Sequence, residues 1–289
     1  MDKARTIQTI LYGEPKDMGG MPIRQPFPGP DAERIDPFLL LHHADIKLSQ
    51  HIETRHAGVG PHPHRGFSPV SFIFRGGVHH RDSRGNDQVI YAGGTQWMNA
   101  GMGVIHSERP PADIHEMGSR QELIQLWVNT PAKHKMDIPA YFPLTAEQTP
   151  VWVSADGRVH IHVIAGELNG IKGPIKPLSP LNTFTGEMQQ GGRCFIPVPE
   201  NHQAFIYLLS GTVLSDGKKL DAFHAAVYRQ DGAGLELEAL EDTRLFIGTG
   251  EPLNEEVAAH GPFVMNNETQ ILEAFRDYQM GKMGVLIED

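Results

Sequence analysis

The chain has 289 residues and a net charge of −10 with histidine neutral, from 35 acidic against 25 basic residues. An acidic protein gains nothing from counterion release, so direct binding to nucleic acid is not expected. No run approaches the ~18 apolar residues a membrane helix needs, and the single cysteine excludes an internal disulfide and any thiolate-rich metal or iron–sulfur site.

The opening MDKARTIQTILYGEP lacks the long apolar core of a signal peptide. With so little cysteine, the expected location is the cytoplasm, and any metal would be held by nitrogen and oxygen. Cys194 itself reads as a small buried apolar residue. Glycine (31) and proline (22) are spread along the chain, which suits many turns between short strands.

In chain order, residues 1–60 hold Pro-rich loops and one apolar run, Pro37–Leu41, that reads as a strand. Short β-rich runs follow: Val70–Phe74, then a turn at Ser83–Asp87, Val89–Tyr91, and Leu123–Val128 closed by Thr130-Pro131. Strands at such spacing argue for an all-β sandwich or barrel. The composition shifts at 133–150, taken as a linker. Val151–Val153 and Val159–Ile164 flank an Asp-Gly turn as a hairpin. Phe205–Gly211 resembles Val70–Gly76 in kind, so the second half is expected to repeat the first. Residues 268–280 form the best helix candidate. Ile271, Leu272, Phe275 and Tyr278 make its stripe, and Gly281 its stop.

Two pairs of ligand-type residues stand out, His62-Pro63-His64 and His106-Ser107-Glu108. On a strand, residues i and i+2 share a face about 6.6 Å apart. Two such pairs on facing strands can bring four ligands to one point. Three imidazoles and a carboxylate suit a divalent transition metal such as iron, with room for exogenous ligands. Other histidines are read more plainly. His160 and His162, with Glu167 beyond, fit a strand surface. His42-His43 and His79-His80 fit solvated or supporting positions, and Trp97, Met98, Phe38, Phe67 and Phe72 are core candidates.

These segments carry a resemblance. His62-Pro63-His64-Arg65-Gly66-Phe67, Gly93–Gly101, Val104–Glu108, His260–Asn266 and Asp36–Leu41 look like signatures of the pirin family, over about residues 30–270. The resemblance implies a bicupin: two cupin-type β-barrels with a short C-terminal helix. It implies a metal-binding barrel in 1–135, a barrel without metal in 150–265, and a helix and tail in 266–289. It also implies a mononuclear metal, usually Fe2+, with Mn, Ni, Co, Cu or Zn as alternatives, on His62, His64, His106 and Glu108. One departure is Ser68, where cupins commonly place a glutamate four residues after the second histidine. In the second barrel the counterpart, near Glu200-Asn201-His202, lacks two histidines.

Some pirins resemble quercetin 2,3-dioxygenases, which open a flavonol with dioxygen and release carbon monoxide. That implies a small aromatic enol substrate, with Glu108 as the catalytic proton acceptor. Other pirins act as redox-sensitive regulators that bind a transcription factor or a metabolic enzyme, which implies a protein partner instead. A sugar isomerase would use the same ligands, but the pirin motifs argue against it. A monomer is the default for a two-barrel chain.

Overall fold

Alternation of apolar and polar residues along short runs produces strands in both halves. The computed structural model, which describes residues 3–288, is all-β apart from two short helices and two single-turn 3-10 segments. Packing divides it into two units. One contains His42–Ala146, Asp17–Ile23 and the chain from Asn254 onward. The other contains Glu147–Leu253, Arg24–Leu41 and the stretch ending at Lys16. The units therefore differ from a simple cut along the sequence: each end of the chain packs with the barrel built from the opposite half. The division falls inside the strands Met21–Phe27 and Phe38–Lys47.

Each unit is built on one seven-stranded and one four-stranded antiparallel sheet, so the second half does repeat the architecture of the first. In the unit rich in histidine, the four-stranded sheet runs Val59–His64, Val104–Arg109, Gly77–Asp82, Asp87–Tyr91. Its seven-stranded sheet has Phe67–Arg75 and Arg120–Asn129 as neighbours near its centre. Phe38, Phe67, Phe72 and Trp97 are buried, as expected of core residues.

The other unit closes over a core of alternating residues, including Val159, Ile161, Phe184, Ile206, Leu208, Leu245 and Ile247. Its first strand, Ile7–Tyr12, pairs with His224–Tyr228. Arg5 fastens that segment: its guanidinium donates to the carbonyls of His202 and Pro199, each at 2.7 Å, and of Gly232 at 3.1 Å.

Two sequence expectations need correction. The stretch 133–150 is not merely a linker, because Ala140–Leu144 is a strand paired with Thr95–Asn99. Lys135 is buried there, donating to the carbonyls of Gly66 (2.6 Å) and Val264 (3.1 Å) and to Asn129 Oδ1 (2.7 Å). The C-terminal helix spans Glu268–Gln279, begun by Asn267, whose side chain accepts from Gln270 N. Its buried face is Ile271 and Ala274 against Phe263, Met265 and Met283; Leu272 is 68% exposed. The helix touches its unit along a narrower stripe than the apolar spacing suggests. No helix among the described residues is long and apolar enough to cross a membrane.

Candidate metal centre

The first histidine pair lies on the edge strand Val59–His64, and His106 lies on the strand beside it. In the antiparallel register His106 is opposite His62, and a bulge between His106 and Glu108 re-aims the residues that follow. Gly66 lets the chain leave the strand: it sits at φ +84°, and a side chain there would collide with the Val264 carbonyl.

The three imidazoles converge. His62, His64 and His106 are the one group of three or more His, Cys, Asp or Glu among the described residues whose ligand atoms all lie within 4.8 Å of one another. His62 Nε2 lies 3.0 Å from His64 Nε2 and 3.0 Å from His106 Nε2. His62 Nδ1–H donates to Gly60 O at 2.8 Å, and His64 Nδ1–H to Pro262 O at 3.3 Å. A carbonyl only accepts, so both protons are on Nδ1 and both Nε2 atoms present bare lone pairs to each other. That arrangement is satisfied by a cation at their focus. Burial above all holds His64 and His106 well below 6.5, and the charge of neighbouring imidazoles adds to it. Neutral imidazoles are the ligand form.

Two nitrogens each about 2.1 Å from one ion stand about 3.0–3.4 Å apart. The observed separations of 3.0 Å are close enough for each pair to share one ion. The residues present therefore fit a divalent metal.

Glu108 stands outside this group. Its carboxylate accepts from Ser71 Oγ at 2.7 Å and from Gln125 Nε2 at 2.6 Å, both on the seven-stranded sheet. Glu108 nevertheless lines the same cavity as His62 and His64. That cavity has a volume of about 470 Å³ and apolar walls from Met18, Met21, Ile23, Leu123 and Trp127. It is within the size range of a small-molecule site. His42 also lines it, whereas His43 is buried 3.4 Å from Glu122.

Behind His106, the buried His80 pairs with Asp82 at 3.0 Å and stacks on Tyr141, with ring centroids 4.0 Å apart. Burial would raise the Asp82 carboxyl, but bonds from His80, Asn86 and Arg84 outweigh it and hold it below the usual range. Ser68 is turned elsewhere, donating to Asn99 Oδ1 at 2.8 Å, so no carboxylate replaces the glutamate common in cupins. His160 is exposed and bonds Gly157 O. In the second unit, His202 Nδ1 meets Thr249 Oγ1 at 3.1 Å.

The pattern describing the Pirin domain matches residues 20–128, and that of the Pirin C-terminal cupin domain matches residues 183–284. The chain belongs to the pirin family. Rat pirin is 34% identical over 96% of this chain and 92% of its own length. A pirin-like protein of Caulobacter vibrioides is also 34% identical, over 96% of this chain and 99% of its own. The crystal structure of a quercetin 2,3-dioxygenase from Acinetobacter baumannii superposes with a TM-score of 0.91 at 35% identity, covering 99% of this chain and all of that one. This pirin is thus a bicupin, and the histidine cluster lies in its Pirin domain.

Several residues of the site carry no mark in the sequence motifs: Ser71, Gln125, Trp127, and the Met18–Met21 turn. Ser71 and Gln125 had a signal, each being the one polar residue in an apolar run, Val70–Phe74 and Leu123–Val128.

Proposed function

We propose that this pirin is a flavonol 2,3-dioxygenase with one divalent metal, iron in the first instance, held by His62, His64 and His106 beside Glu108. The observation that carries the reading is the cluster of three imidazoles opening onto an apolar cavity. The metal, when bound, would polarise the substrate enol and bring it together with dioxygen.

The chain's own residues supply the rest. Trp127 and Leu123 present apolar surface to a flat ring system, and Met18, Met21 and Ile23 keep water from it. Glu108 can take the proton of the flavonol 3-hydroxyl: each carboxylate oxygen has lone pairs beyond the one given to Ser71 or Gln125. Both atoms of dioxygen enter the products as carbon monoxide leaves, so no external reductant is required.

The test is oxygen uptake by the iron-loaded chain with quercetin, beside elemental analysis. Uptake with carbon monoxide release, lost in His106→Ala together with the metal, is the expected result. Metal-loaded protein that consumes no oxygen with any flavonol would refute the reading.

A further inference from the structure

The unit that contains Glu147–Leu253 has a cavity of its own, about 640 Å³ in volume. It lies where neighbouring strands of the seven-stranded sheet start or end, and both Asn182 and His202 line it. Ile175, Pro177 and Leu178 give it an apolar wall, and the exposed Lys172 and Lys176 border it. The wall is tied down: Ile175 N donates to Ile164 O at 3.1 Å, and Gly173 N to Gly166 O at 2.9 Å. A cavity with apolar walls and a few fixed polar groups is the usual form of a small-molecule site.

A string of hydrogen bonds runs into this cavity in one direction. Glu167 N–H donates to Asn182 Oδ1 at 3.1 Å, so the Asn182 amide NH2 faces Thr249 Oγ1, at 2.9 Å. Gly166 leaves room for this, since a side chain there would overlap Asn182 Oδ1. Thr249 is fully buried, and the acceptor for its hydroxyl hydrogen is His202 Nδ1, at 3.1 Å. Nδ1 is therefore bare, and the proton of the neutral ring sits on Nε2. Burial above all lowers His202 from the ordinary 6.5, with Glu251 opposing and Arg5 assisting, so the ring is neutral at pH 7. The residue is 5% exposed, and Arg5 pins its carbonyl at 2.7 Å. Its Nε2–H meets no acceptor among the described residues.

We propose that this cavity binds a small carboxylic acid with an apolar body. The carboxylate accepts from His202 Nε2–H, and the apolar part lies against Ile175 and Leu178. Two features select this class. A nearly buried donor without an acceptor is costly, and a carboxylate meets it with a charge-assisted bond, stronger than a neutral acceptor gives. Lys172 is paired with Glu167 at 3.8 Å, whereas Lys176 has no carboxylate partner among the described residues and can balance the charge of the ligand. Asn182 and Thr249 act through His202 as positioning residues: they fix which of its nitrogens donates. The site stands apart from the dioxygenase reading and needs no metal.

The test is a benzoate titration of the full chain labelled with 15N-histidine. Before benzoate is added, His202 should show the Nε2–H tautomer; the Nδ1–H form overturns the proposal. Benzoate should shift the His202 signal, and acetate, which lacks the apolar body, should bind at least about 10-fold more weakly. Loss of a hydrogen bond to a charged group weakens binding by about 10–100-fold, which is the effect expected of His202→Ala. His202→Gln places an amide NH2 close to Nε2 and should keep most of the affinity. Benzoate that leaves the His202 signal unmoved, binds His202→Ala as well as wild type, or binds no better than acetate overturns the proposal. The tautomer and the acetate comparison are read on the wild-type chain, so a misfolded variant does not remove the test.

Discussion

His62 and His106 face each other across an antiparallel strand pair with their Nε2 atoms 3.0 Å apart, although 43 residues separate them in the chain. Register brings the rings opposite, and burial holds the His106 ring well below its usual value. An arrangement of converging lone pairs is costly until a cation occupies the focus, which makes metal binding and folding stability parts of one equilibrium.

The first prediction follows from that coupling. Saturating Ni2+ or Fe2+ should raise the unfolding free energy by about 2.7 kcal/mol at a free concentration 100 times Kd, and a chelator should reverse it. His62→Ala should abolish the increment. Thermal melts at several metal concentrations would check this; a midpoint that ignores metal would contradict the coupling.

A second prediction concerns Lys135, whose ammonium joins three oxygens on separate segments: Gly66 after the histidine strand, Asn129, and Val264 near the C-terminal helix. Burial lowers it to about 8, which leaves it charged at neutral pH. Lys135→Met removes the donor and strands three buried acceptors. We expect a loss of about 2–4 kcal/mol in denaturant unfolding. Nickel stoichiometry should stay unchanged, because Lys135 touches none of the histidines.

The third prediction uses Cys194, the one thiol of the chain. Burial pushes it from the ordinary 9.0 up to about 12. A folded value raised in this way adds stability that is fully present below about pH 9 and lost as pH rises toward 12. The native chain at pH 8 should therefore resist iodoacetamide, and one thiol per chain should become reactive in denaturant. Cys194→Ala should flatten the loss of stability between pH 9 and pH 12. Fast alkylation of the native protein would contradict the burial.

Much of this was legible in the sequence, and the limits have physical causes. Val70–Phe74 and Phe205–Ser210 announced themselves because β-branched and aromatic residues filled strand cores. The two i, i+2 pairs gave the expectation of four ligands meeting at one point; the three imidazoles come together, while Glu108 lies outside that group. Three features escaped. Leu272 fits the apolar spacing of the helix but is exposed, since spacing does not say how wide a face the neighbours cover. The strand Ala140–Leu144 hides in a stretch whose prolines and charges read as linker. Ser71 and Gln125 meet only because two strands far apart in the chain are adjacent in register, which no local pattern records. The same is true of Pro262, whose carbonyl sets the tautomer of His64.

That last contact has a temporal consequence. The ribosome releases His62, His64 and His106 well before it reaches Pro262, Val264 and the closing helix, which belong to the same packing unit. A nascent chain can pair the strands bearing the histidines while His64 still lacks the carbonyl acceptor of its Nδ1 proton. The barrel that carries the candidate centre is thus completed by segments made after the strands that bear the histidines, and a chain cut short before Pro262 would lack the means to finish it.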